Sequence, residues 1–147
     1  MSDKLPAFQF YPGDWRKDPG IQACSFAARG LWVEMLCLMH ESERRGSLVL
    51  AGRAITPEQL ARQTGGAADE VRVLLAELEA AGVFSRDENG VIYSRRMDRD
   101  EHIRRVRSEA GKLGSVHGHK GGRPKSADDE KRQKRQTERQ TKRLPNG

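Results

Sequence analysis

The stretch "ITPEQLARQTGGAADEVRVLLAELEAAG", Ile55 to Gly82, decides how the chain folds. Thr56 stands where an N-cap oxygen is needed, Pro57 occupies the first helical position, and Glu58 and Gln59 fill the first turn. The helix these residues start is short, because Gly65 and Gly66 interrupt it. A second helix comes next, with Val71, Leu74, Leu75 and Leu78 on one face and Gly82 as its stop. Two helices joined by a glycine turn resemble a helix-turn-helix.

Working outward from this pair, "VFSRDENGVIYSRR" on its C-terminal side reads as two β-rich runs around Asp87, Glu88, Asn89 and Gly90, with Asn-Gly at the tip of a hairpin. On the N-terminal side, "SLVLAG" alternates briefly and predicts a single edge strand. Before it, "CSFAARGLWVEMLCLMHESERRG" predicts the longest helix of the body, with Ser25 as N-cap and Gly46 just past its end. Leu31, Met35, Leu38 and Met39 recur at helical spacing, and Trp32, Val33 and Leu36 widen the apolar surface, as expected of a central, largely buried helix. The order helix, strand, helix, turn, helix, hairpin predicts an α+β, mainly α fold. The expected architecture is a winged helix-turn-helix domain over residues 8–96, opened by an N-terminal strap.

That strap is "FQFYPGDWRKD", Phe8 to Asp18, which holds four of the chain's eight aromatic residues: Phe8, Phe10, Tyr11 and Trp15. Aromatic rows serve as stacking platforms for bases, but only within a basic surround. Here Asp14 and Asp18 offset Arg16 and Lys17. The alternation of Phe8 and Phe10 instead predicts an extended segment laid on the core, with Trp32 as its contact.

Charge separates the body from the C-terminal region. Residues 1–94 carry ten Lys or Arg and thirteen Asp or Glu, a net of −3, whereas residues 95–147 carry seventeen and eight, a net of +9. The usual partner of such a basic arm is a polyanion such as DNA or RNA. Within the arm, residues 97–113 predict a charged amphipathic helix: Ile103, Val106, Ala110 and Leu113 form a thin seam, with Asp100 to Arg104 and Glu101 to Arg105 as i,i+4 pairs. Residues 114–147, rich in glycine and charge with Leu144 as the only large aliphatic side chain of the final stretch, are expected to be a disordered basic tail. The oligomeric state is left open by so short a seam.

Enzyme chemistry finds no foothold. The sequence lacks a phosphate-binding G-x-x-x-x-G-K-[ST], a dinucleotide G-x-G-x-x-G and a nucleophile elbow. His117 and His119 have no further metal ligands spaced near them, so neither a metal nor a cofactor is expected. Cys24 and Cys37 read as reduced core residues of a cytoplasmic protein. The longest apolar run, "LWVEMLCLM", is broken by Glu34 and is too short for a membrane span.

Nucleic-acid contacts are expected mainly from the arm. "KGGRPK" resembles half of an AT-hook, in which an extended Gly-Arg-Pro segment enters a narrow minor groove; Lys120, Arg123 and Lys125 belong to it. Arg132, Arg135, Arg139 and Arg143 fall on one face if their segment becomes helical on a phosphate backbone. Arg104, Arg105 and Arg107 extend this surface toward the body. The body itself offers Arg62, Arg72 and, on the expected wing, Arg86. Its second helix leads with Asp69 and Glu70 and continues through Glu77 and Glu79, a composition unsuited to strong reading of a major groove.

Taken together, "PAFQFYPGDW", "FAARGLWVEML", the glycine-bounded helix pair, "NGVIYSRRM" and "KGGRPK" resemble a family of small phage and prophage proteins. In that family a winged-helix domain precedes a basic, low-complexity tail. The resemblance spans residues 6–125 and implies a replication-associated role, as in replisome organisers and replication-initiator-like proteins, with DNA and a host or phage replication protein as partners. It carries over no catalytic residue. The acidic second helix of the pair departs from direct origin recognition by the domain. A dimeric transcriptional regulator and a protein adaptor without useful DNA affinity are the alternatives.

Overall fold

The structure is a computed structural model and describes residues 5–118 together with Lys131, Lys134 and Arg135. It is mainly helical, with two small antiparallel sheets. Two short helices come first, α1 (Pro12–Lys17) and α2 (Pro19–Ala23), followed by α3 (Phe26–Glu41). A hairpin of β1 (Val49–Leu50) and β2 (Arg53–Ala54) leads to α4 (Pro57–Thr64) and α5 (Ala68–Ala80). The second hairpin, β3 (Ser85–Arg86) and β4 (Ile92–Tyr93), leads to α6 (Arg95–His117). The chain divides into two units, residues 1–105 and 106–147.

In the first unit, α3 presents a broad stripe to the core: Ala28, Leu31, Trp32, Met35, Leu36 and Met39 are buried, while its other face is exposed. Against that stripe pack Leu60 of α4, the Val71, Leu75 and Leu78 face of α5, Phe84 and Ile92 of the second hairpin, and Met97. The Trp32 and Phe84 rings stack at 6.3 Å between centroids. Capping fixes the starts of the helices as read from sequence. Ser25 Oγ accepts from Ala28 N–H, and Thr56 with Gln59 forms a reciprocal capping box. Gly65 ends α4 in the left-handed region, at φ 75°.

Five features depart from the sequence reading. The segment expected as one edge strand folds back at Ala51 and Gly52, with φ of 50° and 72°, and the Glu43 carboxylate accepts from both their N–H groups. Only Ser47 to Leu48 reaches the second hairpin, through the Ser47–Tyr93 bridge and Leu48 N–H donating to the Ile92 carbonyl at 2.8 Å. The aromatic strap is not a strand. After extended residues it turns into α1 and then α2, where Asp18 caps by accepting from Gly20 and Ile21 N–H. Arg29 then ties the far end of α2 to α3 by donating to the carbonyls of Ile21, Cys24 and Gln22. Cys24 is buried at the end of α2, with its thiol pKa pushed up by burial, but Cys37 lies off the buried stripe of α3 and is exposed.

The charged helix is also longer than expected. It starts at Arg95, where the Ser94 hydroxyl accepts from Met97 N–H, and runs to His117, through residues expected to be disordered. Gly111 and Gly114 do not stop it because neither adopts the left-handed geometry of a C-cap. Glu101, expected to reach Arg105, is held instead by Arg104 at 2.8 Å and Arg45 at 3.0 Å. In the second unit the side chains of residues 106–116 are exposed, and Lys131, Lys134 and Arg135 are helical and exposed. The rest of the expected tail lies outside the described residues. No helix among the described residues is long and apolar enough to cross a membrane.

Candidate functional site

The second helix of the pair, α5, engages all of its charges but Glu70 with its own body. Arg72 pairs with Glu58 of α4 and with Asp69 at 2.7 Å. Arg86 of β3 grips Glu79 with two nitrogens, at 2.7 and 3.3 Å, and lies over the Phe84 ring. The hydrogen bond from Arg86 holds the Glu79 carboxyl below the usual carboxylate range. Glu77 reaches the start of α3, where it accepts from Ser25 N–H and from Ser25 Oγ at 2.9 Å. Two of the three cations expected on the body are therefore already engaged. Arg62 alone is exposed with no partner among the described residues.

Along α6 the balance is reversed, with seven basic residues against four acidic ones. Arg104 is held by Glu101, whereas Arg99, Arg105, Arg107 and Lys112 are exposed and carry no ion pair among the described residues. Of the tail residues expected to touch DNA, Arg135 is helical and exposed. Lys120, Arg123, Lys125, Arg132, Arg139 and Arg143 lie outside the described residues.

The structure also forms a groove that no single stretch of the sequence announces. A groove of about 310 Å³ opens in the first unit, with Trp32, Leu36, Ile21 and Val83 at its apolar floor. One wall comes from the N-terminal segment: Phe8 packs beside His40, with ring centroids 5.5 Å apart, and Phe10 packs beside Trp15 at 5.4 Å. Phe8 and Phe10 thus do not share one buried face; Phe10 is 49% exposed and Tyr11 43% exposed. The other wall is the first turn of α6, with Arg95, Arg96 and Arg99. The Arg96 guanidinium sits 4.3 Å from the Tyr11 ring centroid and pairs with Asp14. Arg95 is fixed by two neutral acceptors, Gly82 carbonyl and Ser85 Oγ, each at 2.8 Å, so its charge is not cancelled.

The basic surround that the aromatic stretch lacks in sequence is therefore supplied from some eighty residues away, by a helix whose start is set by Ser94. Among the described residues no group of three or more His, Cys, Asp or Glu is placed to hold a metal ion. Comparison with protein-family models, with curated proteins and with solved structures finds no match to this chain.

Proposed function

We propose that the protein is a non-enzymatic, DNA-binding accessory of phage or prophage replication. In this reading residues 8–96 form a winged-helix scaffold that docks a replication partner, and the basic arm makes most of the contact with DNA. What supports the winged-helix reading is the order α3, β1–β2, α4, α5, β3–β4, with the second hairpin in the place of a wing. The observation that carries the division of labour is the contrast between α5 and α6. Arg72 and Arg86 of the helix pair and wing close onto Glu58, Asp69 and Glu79 and leave only Arg62 there unpaired, while α6 leaves Arg99, Arg105, Arg107 and Lys112 without ion pairs among the described residues. Such unpaired cations release counterions from phosphates and give affinity with little sequence preference.

The test is fluorescence anisotropy with labelled duplex and single-stranded DNA over a salt series, using the full chain and the chain cut after Leu113, with thermal melting as a check on folding. Loss of salt-dependent binding on truncation supports the arm. Equal binding by both forms that also survives replacement of Arg99, Arg105, Arg107 and Lys112 by Gln moves the contact onto the body and overturns the division.

A second reading, a dimeric regulator, draws on the apolar residues that α6 leaves exposed: Ile103, Val106, Leu113 and Val116. It predicts a two-fold dimer in sedimentation and a steep preference for one palindromic site.

A further inference from the structure

We infer that the groove between the N-terminal aromatic segment and the start of α6 is a stacking site for an unpaired base of a single nucleic-acid strand. This deepens the nucleic-acid reading above and rests on it. Phe10 and Tyr11 are large rings left about half exposed beside an apolar floor, and exposure of that kind on neighbouring aromatics is what a stacking platform requires. Base faces also stack on guanidinium planes, and Arg96 already lies close enough over Tyr11 to extend that surface.

The α6 wall of the groove, with Arg95, Arg96 and Arg99 against Asp100, favours a phosphate-bearing ligand. Asp14 is answered by Arg96, whereas Asp18, which accepts from the neutral N–H groups of Gly20 and Ile21, keeps its negative charge on the α2 side of the groove. Arg95 keeps its full charge on neutral acceptors, and Arg99 has no ion pair among the described residues. Asp100 tempers this positive wall without cancelling it. A base within a duplex has both faces covered by its neighbours and offers nothing to stack, so the site selects single strands. An acidic peptide matches the arginines but brings a planar ring only where it carries an aromatic residue.

The protein holds its own reporter, since its two tryptophans, Trp15 and Trp32, both line the groove. Full-length protein is titrated with an oligodeoxythymidylate of about ten nucleotides, within the range one binding fold covers. Parallel titrations use an abasic strand of equal phosphate number, a duplex of the same length, and a Glu-Tyr copolymer. The expected result is quenching of tryptophan emission by oligodeoxythymidylate but not by the abasic strand, with the duplex weaker. Phe10→Ala weakens binding roughly tenfold. Phe10→Leu, which keeps apolar bulk and removes the ring, gives a similar loss and guards against a folding defect. Arg99→Gln lowers the slope of log affinity against log salt by about one.

Equal binding of abasic and base-bearing strands, or wild-type binding by Phe10→Leu, overturns the proposal. Quenching by the copolymer with none by oligodeoxythymidylate transfers the groove to an aromatic acidic peptide and overturns it as well. Salt-dependent binding seen by anisotropy without any quenching sinks the groove alone; no binding of any DNA sinks the functional reading with it.

Discussion

Gly20 in α2 is the position at which a single methyl group tests whether the N-terminal segment is seated as described. A Cβ built there lies 2.6 Å from the carbonyl oxygen of Ala81 at the end of α5, about 0.8 Å inside the 3.4 Å at which ordinary contact begins. The obstacle is backbone, and Asp18 Oδ1 closes the other side at 3.2 Å, so relief requires α2 to move away from α5. That movement strains the Asp18 cap, the three Arg29 hydrogen bonds and the burial of Ile21 and Cys24. Overpacking of this kind costs about 1–3 kcal/mol. For a unit of about one hundred residues each kcal/mol lowers the melting temperature by about 4–8 °C, so a loss near 2 kcal/mol means a fall of about 8–16 °C. Gly30→Ala supplies the opposite sign in the same protein. Gly30 lies within α3, a Cβ there meets nothing within 4 Å, and removing glycine's backbone freedom from a helix interior raises stability by about 1 kcal/mol. Circular dichroism melts of both variants decide the matter. If Gly20→Ala melts with the wild type while Gly30→Ala rises, α2 does not rest on the end of α5, and the placement of Tyr11 and Trp15 at the groove loses its support.

Ala51 holds a left-handed conformation in a two-residue turn that favours glycine or asparagine, so Ala51→Gly should raise the urea midpoint, with a gain of about 0.5–1 kcal/mol after glycine's own entropy is charged against it. Glu77→Ala removes the cross-helix cap at Ser25 and should cost about 1–2 kcal/mol in urea unfolding at an unchanged m-value. In combination with Ser25→Ala the losses should be less than additive, because both act on one network. The Glu101 carboxyl is held below its ordinary pKa first by the Arg104 hydrogen bond and then by Arg45, against the opposing effect of burial. A depressed folded pKa means its stabilisation is complete above the unfolded value of about 4.3 and drains away as pH falls through the folded value. Melting temperatures from pH 6 down to about 2 should therefore fall less steeply for Glu101→Gln than for wild type; identical acid slopes would show that the ion pairs do not couple to folding.

The parts of the fold legible in the sequence are those specified by neighbours in the chain. Thr56, Pro57 and Gln59 form one local capping unit, Ser25 caps within one turn, and the hairpin tip at Asp87 to Gly90 is closed by Asp87 itself, whose carboxylate accepts from Asn89 and Val91 N–H. The two short helices are hard to read because Pro12-Gly13 and Pro19-Gly20 have the form of turns. A signal is nevertheless present, since Asp18 before Pro19 has the same cap-then-proline form as Thr56 before Pro57. The turn at Ala51 is hidden for a different reason: alanine does not advertise a positive φ, and what holds it is the Glu43 carboxylate from beyond the end of α3.

The groove is illegible in the sequence because its chemistry belongs to no single stretch. Read alone, Phe8 to Asp18 is an aromatic segment with balanced charge, and "SRRM" is the start of a basic helix. Neither is a binding site. Pairing of the second hairpin with residues 46–48 brings them together: Ser94 N–H donates to the Gly46 carbonyl at 2.9 Å, which places the α6 start beside α3, and α2 docks the aromatic segment on the same side through Ile21 and Arg29. On the proposed reading, the same geometry leaves room for a polyanion despite the acidic α5. Glu77 and Glu79 are turned to capping α3 and fastening β3, whereas Arg99, Arg105 and Arg107 of α6 carry no ion pair among the described residues. On the proposed reading, a phosphate strand drawn to Arg99 and Arg95 meets exposed rings beside them, so phosphate contact and base stacking fall within one groove of the first unit.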